Sequence, residues 1–215
     1  MTDIKGVIFD MDGLMIDSER IIHDAIVKGG QIMGLPNIHE VSMRFIGSSN
    51  DAARRIFYDA YTEAADFDYL MELKHKFIDE LIGNDGFPPK PGIYEILEKL
   101  KSKGYTLAVG SSTREWAVKE FLGKINVLGY FDHMICGDMG FRSKPNPDIF
   151  IACAEKMNIA PEKCCVLEDS AAGVKAAYLA GMRVIMIPDL IEPTEDIIPM
   201  LYALKGSLYD AAELF

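Results

Sequence analysis

From residue 91 to residue 187 the chain alternates, without a break, between segments of helical spacing and short apolar runs. Helices are expected over residues 91–103, stopped by Gly104, near 114–122, over 147–157, and over 171–180, stopped by Gly181. Strands are expected over 106–109, 133–136, 164–167 and 183–187, and residues 4–9 form another apolar run ahead of them, ended by acids and a glycine. Such alternation demands parallel strands joined by right-handed helical crossovers. The expected fold is therefore α/β, a doubly wound parallel sheet of Rossmann-like kind.

Between the first strand and the rest the texture changes. Ile21, Ile22, Ala25 and Ile26, then Phe67, Leu70, Leu73, Phe77, Ile78 and Leu81, repeat at helical spacing with no strand between them. The Gly29-Gly30 pair and the Gly47-Ser48-Ser49-Asn50 segment read as breaks between helices, and residues 86–92, Gly-Phe-Pro-Pro-Lys-Pro-Gly, as a linker. The expected organisation is an α/β core from residues 1–16 and 88–215, with an all-helical insertion at 17–87.

The 215 residues are 49% apolar and 26% charged, enough for a sizeable core and unlike disordered or disulfide-scaffold chains. A net charge of −11 repels phosphate backbones and anionic lipid, so neither nucleic acid nor membrane is an expected partner. An anionic substrate must then be caught by local cations. Cys136, Cys153, Cys164 and Cys165 form no C-x-x-C pair and lie in apolar segments, as buried free thiols of a reducing compartment would. The N-terminal residues resemble neither a secretion signal nor a membrane span, and a cytoplasmic protein is expected.

In an open α/β sheet the ligand crevice lies outside the carboxyl ends of the strands. Asp10-Met11-Asp12-Gly13 follows the first strand, Gly110-Ser111-Ser112-Thr113 the second, Ser143-Lys144-Pro145 comes after the third, and Glu168-Asp169-Ser170 ends the fourth. Singly, each has a plain structural use: Asp10 and Asp12 as turn and cap residues, Ser111 and Ser170 as helix caps, Lys144 as a surface lysine, Glu168-Asp169 as negative charge at a helix N-terminus. Jointly they would gather four carboxylates, one lysine and hydroxyls in one crevice. Such carboxylates would repel and raise one another's pKa unless a divalent cation or the lysine balances them; a metal is implied, and oxygen-only ligands favour Mg2+.

Asp10-Met11-Asp12-Gly13, Ser111, Lys144-Pro145 with Pro147-Asp148, and Glu168-Asp169-Ser170-Ala171-Ala172-Gly173-Val174 resemble, in order and spacing, the four motifs of the haloacid dehalogenase superfamily. The resemblance covers nearly the whole chain and includes a helical cap between the first and second motifs, as in the phosphoglucomutase-like phosphatases. It implies that Asp10 is the nucleophile and Asp12 the acid and base. It implies Mg2+ on the Asp10 carboxylate, the Asp12 carbonyl and Asp169, with Glu168 as an accessory ligand. Ser111 would bind a phosphoryl oxygen and Lys144 would balance charge. The cap loop Gly47, Ser48, Ser49 and Asn50, with Ser112, would contact the substrate.

The same resemblance narrows the reaction. Dehalogenases and phosphonatases of this kind lack the second aspartate, and phosphonatases carry a cap lysine absent from residues 46–50. Phosphosugar mutases carry cap cations and a histidine where this chain has Ile46, Asn50 and Ile22. A Mg2+-dependent phosphatase of a small phosphorylated metabolite, such as a sugar or nucleoside phosphate, is expected, acting as a monomer through an aspartyl-phosphate. A phosphosugar mutase and a silent phosphate-binding module are the alternatives. Arg54 and Arg55 read as a solvated helix face, and Trp116, Met182 and Met186 as core filling.

Overall fold

The computed structural model describes residues 3–47, 50–62 and 65–215. In chain order the elements are β1 (Gly6–Phe9), α1 (Ser18–Ile32), α2 (Ile38–Met43), α3 (Asn50–Tyr61), α4 (Phe67–Ile82), α5 (Ile93–Ser102), β2 (Thr106–Gly110), α6 (Glu115–Lys124), β3 (His133–Ile135), α7 (Asp148–Met157), β4 (Cys164–Glu168), α8 (Ala171–Leu179), β5 (Arg183–Met186), β6 (Ala203–Leu204) and α9 (Leu208–Ala212). The backbone falls into two compact units, one of residues 1–17 and 88–215, the other of residues 18–87.

In the first unit all strand pairs are parallel, in the order β3-β2-β1-β4-β5-β6. The chain winds from β1 to β2 and β3 on one side, then crosses to β4, β5 and β6 on the other. The topological switch point therefore lies at β1, where a ligand crevice is expected. Register aligns Phe9 with both Val109 and Leu167, so the residues that follow the three strands emerge together.

Because side chains alternate across a strand, Ile8, Ala108, Cys164 and Val166 share one face. They pack against Phe150 and Cys153 of α7 and against Val174 and Ala177 of α8. Val7, Phe9, Leu107, Val109, Cys165 and Leu167 point the other way and are equally buried, which explains why these strands read as unbroken apolar runs. The four cysteines are free and buried. Burial pushes the Cys136 and Cys164 thiols up to about 11 and the other two higher still, so they act as small apolar residues.

In the helical unit α1 packs on α2 and α4, and α3 packs on α2 and α4. Ile26, Ile38, Val41, Phe57, Phe67 and Leu70 form its main core, with Ala25, Leu73 and Phe77 beside it. Asp66 caps α4 by accepting from the Tyr69 N–H at 3.0 Å. Arg54 is bound to Asp68 and lies over Phe67, as a helix-surface residue would.

Three expectations are corrected. The Gly29-Gly30 pair does not break a helix; α1 runs through both, because each lets a neighbouring element approach. A β-carbon on Gly30 would stand 2.3 Å from Ile38 Cγ1, and one on Gly29 would stand 3.1 Å from Leu70 Cδ1 and Leu73 Cβ. Trp116 is not core: it is 62% exposed on the first turn of α6, whose inward residues are Ala117, Val118 and Leu122. The sequence pattern also ends too early, since β6 and α9 extend the sheet and its cover beyond residue 187. Among the described residues no helix is long and apolar enough to cross a membrane.

Candidate active site

The carboxyl end of β1 leads straight into the site. The Asp10 N–H still donates to Leu167 O at 3.0 Å in the sheet ladder, but its side chain stands where the strand stops. The next residues fold into a tight turn: Gly13 N donates to Ile16 O at 3.0 Å, and Met15 and Ile16 donate back to Met11 O. Gly13 takes φ +76°, and a β-carbon there would lie 2.2 Å from Asp169 Oδ2, so glycine is required both for backbone and for space.

Asp10 is buried and accepts from Lys144 Nζ at 2.5 Å. The same ammonium donates to Glu168 Oε1 at 2.7 Å and sits 4.7 Å above the Phe150 ring. Glu168, fully buried at the end of β4, turns its other oxygen to the N–H groups of Asp169 and Ser170, at 2.9 and 2.8 Å, and to the Ser170 hydroxyl at 2.9 Å. Ser170 Oγ in turn caps α8 by accepting from Gly173 N at 3.1 Å. Gly173 is required here too: a β-carbon would fall within 2.4 Å of the Glu168 carboxylate. The buried lysine thus has two carboxylate partners, and Glu168 is satisfied at both ends, as buried charges must be.

The electrostatics follow from this burial. Desolvation, reinforced by Glu168 and Asp12, pushes the Asp10 carboxyl up to about 8 against the pull of Lys144. For Lys144 burial disfavours the charge, but Asp10 and Glu168 outweigh it through attraction and hydrogen bonds, and its pKa rises above the ordinary lysine value. A second positive charge near Asp10 would release its proton.

Carboxylate oxygens of Asp10, Glu168 and Asp169 lie within 4.8 Å of one another. They form an oxygen-only set for a hard divalent cation, and its negative charge exceeds what Lys144 alone balances, so the residues fit Mg2+. Asp12 is partly exposed, and its Oδ2 accepts from Thr113 Oγ1 at 2.7 Å. Ser111 is buried at the end of β2 and its Oγ accepts from Thr113 N at 3.0 Å. It caps no helix, since α6 begins beyond Arg114, and with that lone pair occupied its O–H is left to donate.

The structure therefore brings Asp10, Asp12, Ser111, Lys144, Glu168 and Asp169 to one end of one sheet. Ser112 is exposed beside them, and its carbonyl lies so close to Gly137 that a β-carbon there would be 1.9 Å away. Gly47 and Asn50 are exposed in the helical unit, Gly47 at φ +68° and Asn50 as the first residue of α3. Ser48 and Ser49 lie outside the described residues. Sequence reasoning missed Thr113, although it stands only two residues past Ser111. It also missed Asp189 at the end of β5, where the rule applied to the first four strands would have found it.

Comparison with known proteins identifies the family. The profile of "Haloacid dehalogenase-like hydrolase" matches residues 7–187. A Thermotoga maritima protein named phosphorylated carbohydrates phosphatase is 32% identical over 182 residues, covering 84% of this chain and 83% of its own. An Aquifex aeolicus phosphoglycolate phosphatase is 30% identical with the same coverage. The solved structure of a family hydrolase from Deinococcus radiodurans, with bound phosphate and sodium, superposes with a TM-score of 0.81 at 25% identity, over 100% of this chain and 94% of that one. On the profile match and the coverage of these relatives, the chain belongs to the haloacid dehalogenase-like hydrolases.

Proposed function

We propose that this protein is a Mg2+-dependent phosphomonoesterase for a small phosphorylated metabolite, a sugar phosphate or nucleoside phosphate, working through an aspartyl-phosphate on Asp10. The observation that carries the reading is the convergence of Asp10, Lys144, Glu168 and Asp169 at the switch point of the sheet, with Asp12 held beside them by Thr113. The relatives named as phosphatases of phosphorylated carbohydrates and of phosphoglycolate, and the phosphate and sodium bound to the Deinococcus relative, support it.

In the first step an Asp10 carboxylate oxygen attacks phosphorus, and the bond from phosphorus to the ester oxygen breaks. The departing oxygen takes the proton of Asp12. In the second step Asp12 removes a proton from water, the hydroxide attacks phosphorus, and the acyl phosphate bond breaks to return Asp10 and release inorganic phosphate. Lys144 stabilises the Asp10 carboxylate and the charge gathering on phosphoryl oxygens, and the Ser111 hydroxyl donates to one of those oxygens. Asp10 and Asp169, with the Asp12 carbonyl and Glu168 in support, would hold a Mg2+ ion, which would supply the remaining neutralisation of the dianion. Choice of leaving group belongs in this proposal to the helical insertion acting as a cap, through Gly47 and Asn50 and the intervening residues 48 and 49, with Ser112 on the core.

The test is hydrolysis of an aryl phosphate and of a panel of sugar and nucleoside phosphates in Mg2+, beside an Asp10→Asn control. Release of phosphate by the native chain and not by the control is the expected result. Equal, background rates from both would leave a phosphate-binding module. Isomerisation of a hexose phosphate on addition of a hexose bisphosphate would instead show a mutase.

A further inference from the structure

The fifth strand also ends in a carboxylate, one that the steps above do not use. Ile187 N donates to Glu168 O at 2.8 Å, and Pro188 and Asp189 follow, so the ladder delivers Asp189 alongside the end of β4. Its side chain is 8% exposed. Oδ1 accepts from Lys90 Nζ at 2.5 Å, and Lys90 stands 3.9 Å from Asp17 as well. Lys90 is itself fixed through its N–H to Met15 O at 2.9 Å. Oδ2, by contrast, is buried with no hydrogen-bond partner, the one such side-chain atom found among the described residues.

A buried carboxylate oxygen without a donor is costly, and native proteins answer such atoms with an ion or an ordered water. Asp189 Oδ2 faces Gly13, 3.4 Å from where a β-carbon would sit, and Asp169 Oδ2 lies 2.2 Å from the same point. The absent side chain of Gly13 leaves these two acidic oxygens on one small space. Asp169 cannot donate to Asp189 when both are ionised, so the donor that Asp189 Oδ2 lacks must come from another group carrying protons.

We propose that Asp189 is a positioning residue of the cation site: Lys90 pins its Oδ1, and Oδ2 accepts a hydrogen bond from water carried by the divalent cation on Asp169. The inference rests on the reading of Asp169 as a cation ligand. Mg2+ keeps several of its waters when bound by protein, and partners of that outer layer are typically worth about 10- to 100-fold in affinity.

Mg2+ is titrated calorimetrically into the full chain and into Asp189→Asn, Asp189→Ser and Asp169→Asn variants, and each is melted with and without Mg2+. Asp189→Asn keeps an oxygen for Lys90, replaces the second acceptor by an NH2 donor and removes the charge. Its Kd for Mg2+ is expected to rise about tenfold, its melting temperature without Mg2+ to hold or rise, and its gain on adding Mg2+ to shrink. If the asparagine variant does not fold, the same comparison is made with Asp189→Ser, for which the same rise in Kd is expected. An unchanged Kd beside an Asp169→Asn variant that no longer binds overturns the inference and leaves the cation site standing. So does a loss accompanied by a lower melting temperature without Mg2+. Native protein that takes up no Mg2+ overturns the site reading itself.

Discussion

Asp10 and Asp12 are the same residue type two positions apart, and their surroundings differ. Asp10 is buried against one ammonium and beside other carboxylates, whereas Asp12 is partly exposed and accepts a hydrogen bond from a hydroxyl. Asp12→Asn keeps the shape and removes the proton. It should slow substrates with alcohol leaving groups by about 10²- to 10⁴-fold, the usual worth of general acid–base catalysis, and aryl phosphates much less. Rates on glucose phosphates and on 4-nitrophenyl phosphate check this, and equal losses on both would deny the acid role. Thr113→Val removes the hydroxyl that orients Asp12 and preserves side-chain volume. The same selectivity for poor leaving groups is expected at a smaller size, about tenfold, in line with one lost hydrogen bond of about 1–1.5 kcal/mol. A loss spread evenly over both substrates would show that Thr113 serves the turn and not the acid. The four motif positions were legible because a strand end is visible in sequence. Thr113 was not, since its importance lies in a contact across 101 positions with Asp12. Asp189 stands two residues past the expected strand 183–187, open to the same strand-end rule; only its pairing with Lys90, 99 positions away, was out of reach.

Elements were read where their periodicity had room to show. The strands of the central sheet were found nearly to the residue, because they are buried on both faces and carry unbroken apolar runs. β6 has two residues and α9 five, too few for a period of two or 3.6 to declare itself. Glycine misled at Gly29-Gly30 because propensity and packing give opposite signals, and only the partner helix decides. Two substitutions separate those terms. Gly123, within α6, has open space around its missing side chain, so Gly123→Ala should stabilise the protein by about 0.5–1 kcal/mol through helix propensity and a less free unfolded chain. Gly30→Ala gains the same propensity but drives a methyl into Ile38, and overpacking of that kind costs about 1–3 kcal/mol. Its net effect should be destabilising. Urea unfolding of both variants gives the answer, and a stabilised Gly30→Ala would mean that Ile38 can yield at no cost.

Across the whole molecule, a chain with a net charge of −11 would, on the proposed function, have to draw an anionic phosphate to a crevice lined by carboxylates, and its capture would depend on proton and cation exchange at Asp10. Its carboxyl is raised from an ordinary value near 3.8 to about 8, chiefly by burial. In the unfolded chain the group ionises near 3.8, so between there and about pH 8 the folded protein holds a proton that the unfolded one has lost. The stability contributed by that proton is complete below pH 3.8 and is lost as pH rises through about 8. A divalent cation acts with the opposite sign: it favours the carboxylate, and its binding below about pH 8 must expel the proton. Affinity for Mg2+ should therefore strengthen with pH, approaching about tenfold per unit for one proton exchanged, and level off above about pH 8. Calorimetry near pH 6.5 in two buffers of different ionisation enthalpy should count close to one proton released by the native chain, and none from the same group in Asp10→Asn. Release near zero from both would mean that Lys144, 2.5 Å away, already holds Asp10 ionised, and that attraction rather than desolvation governs the site.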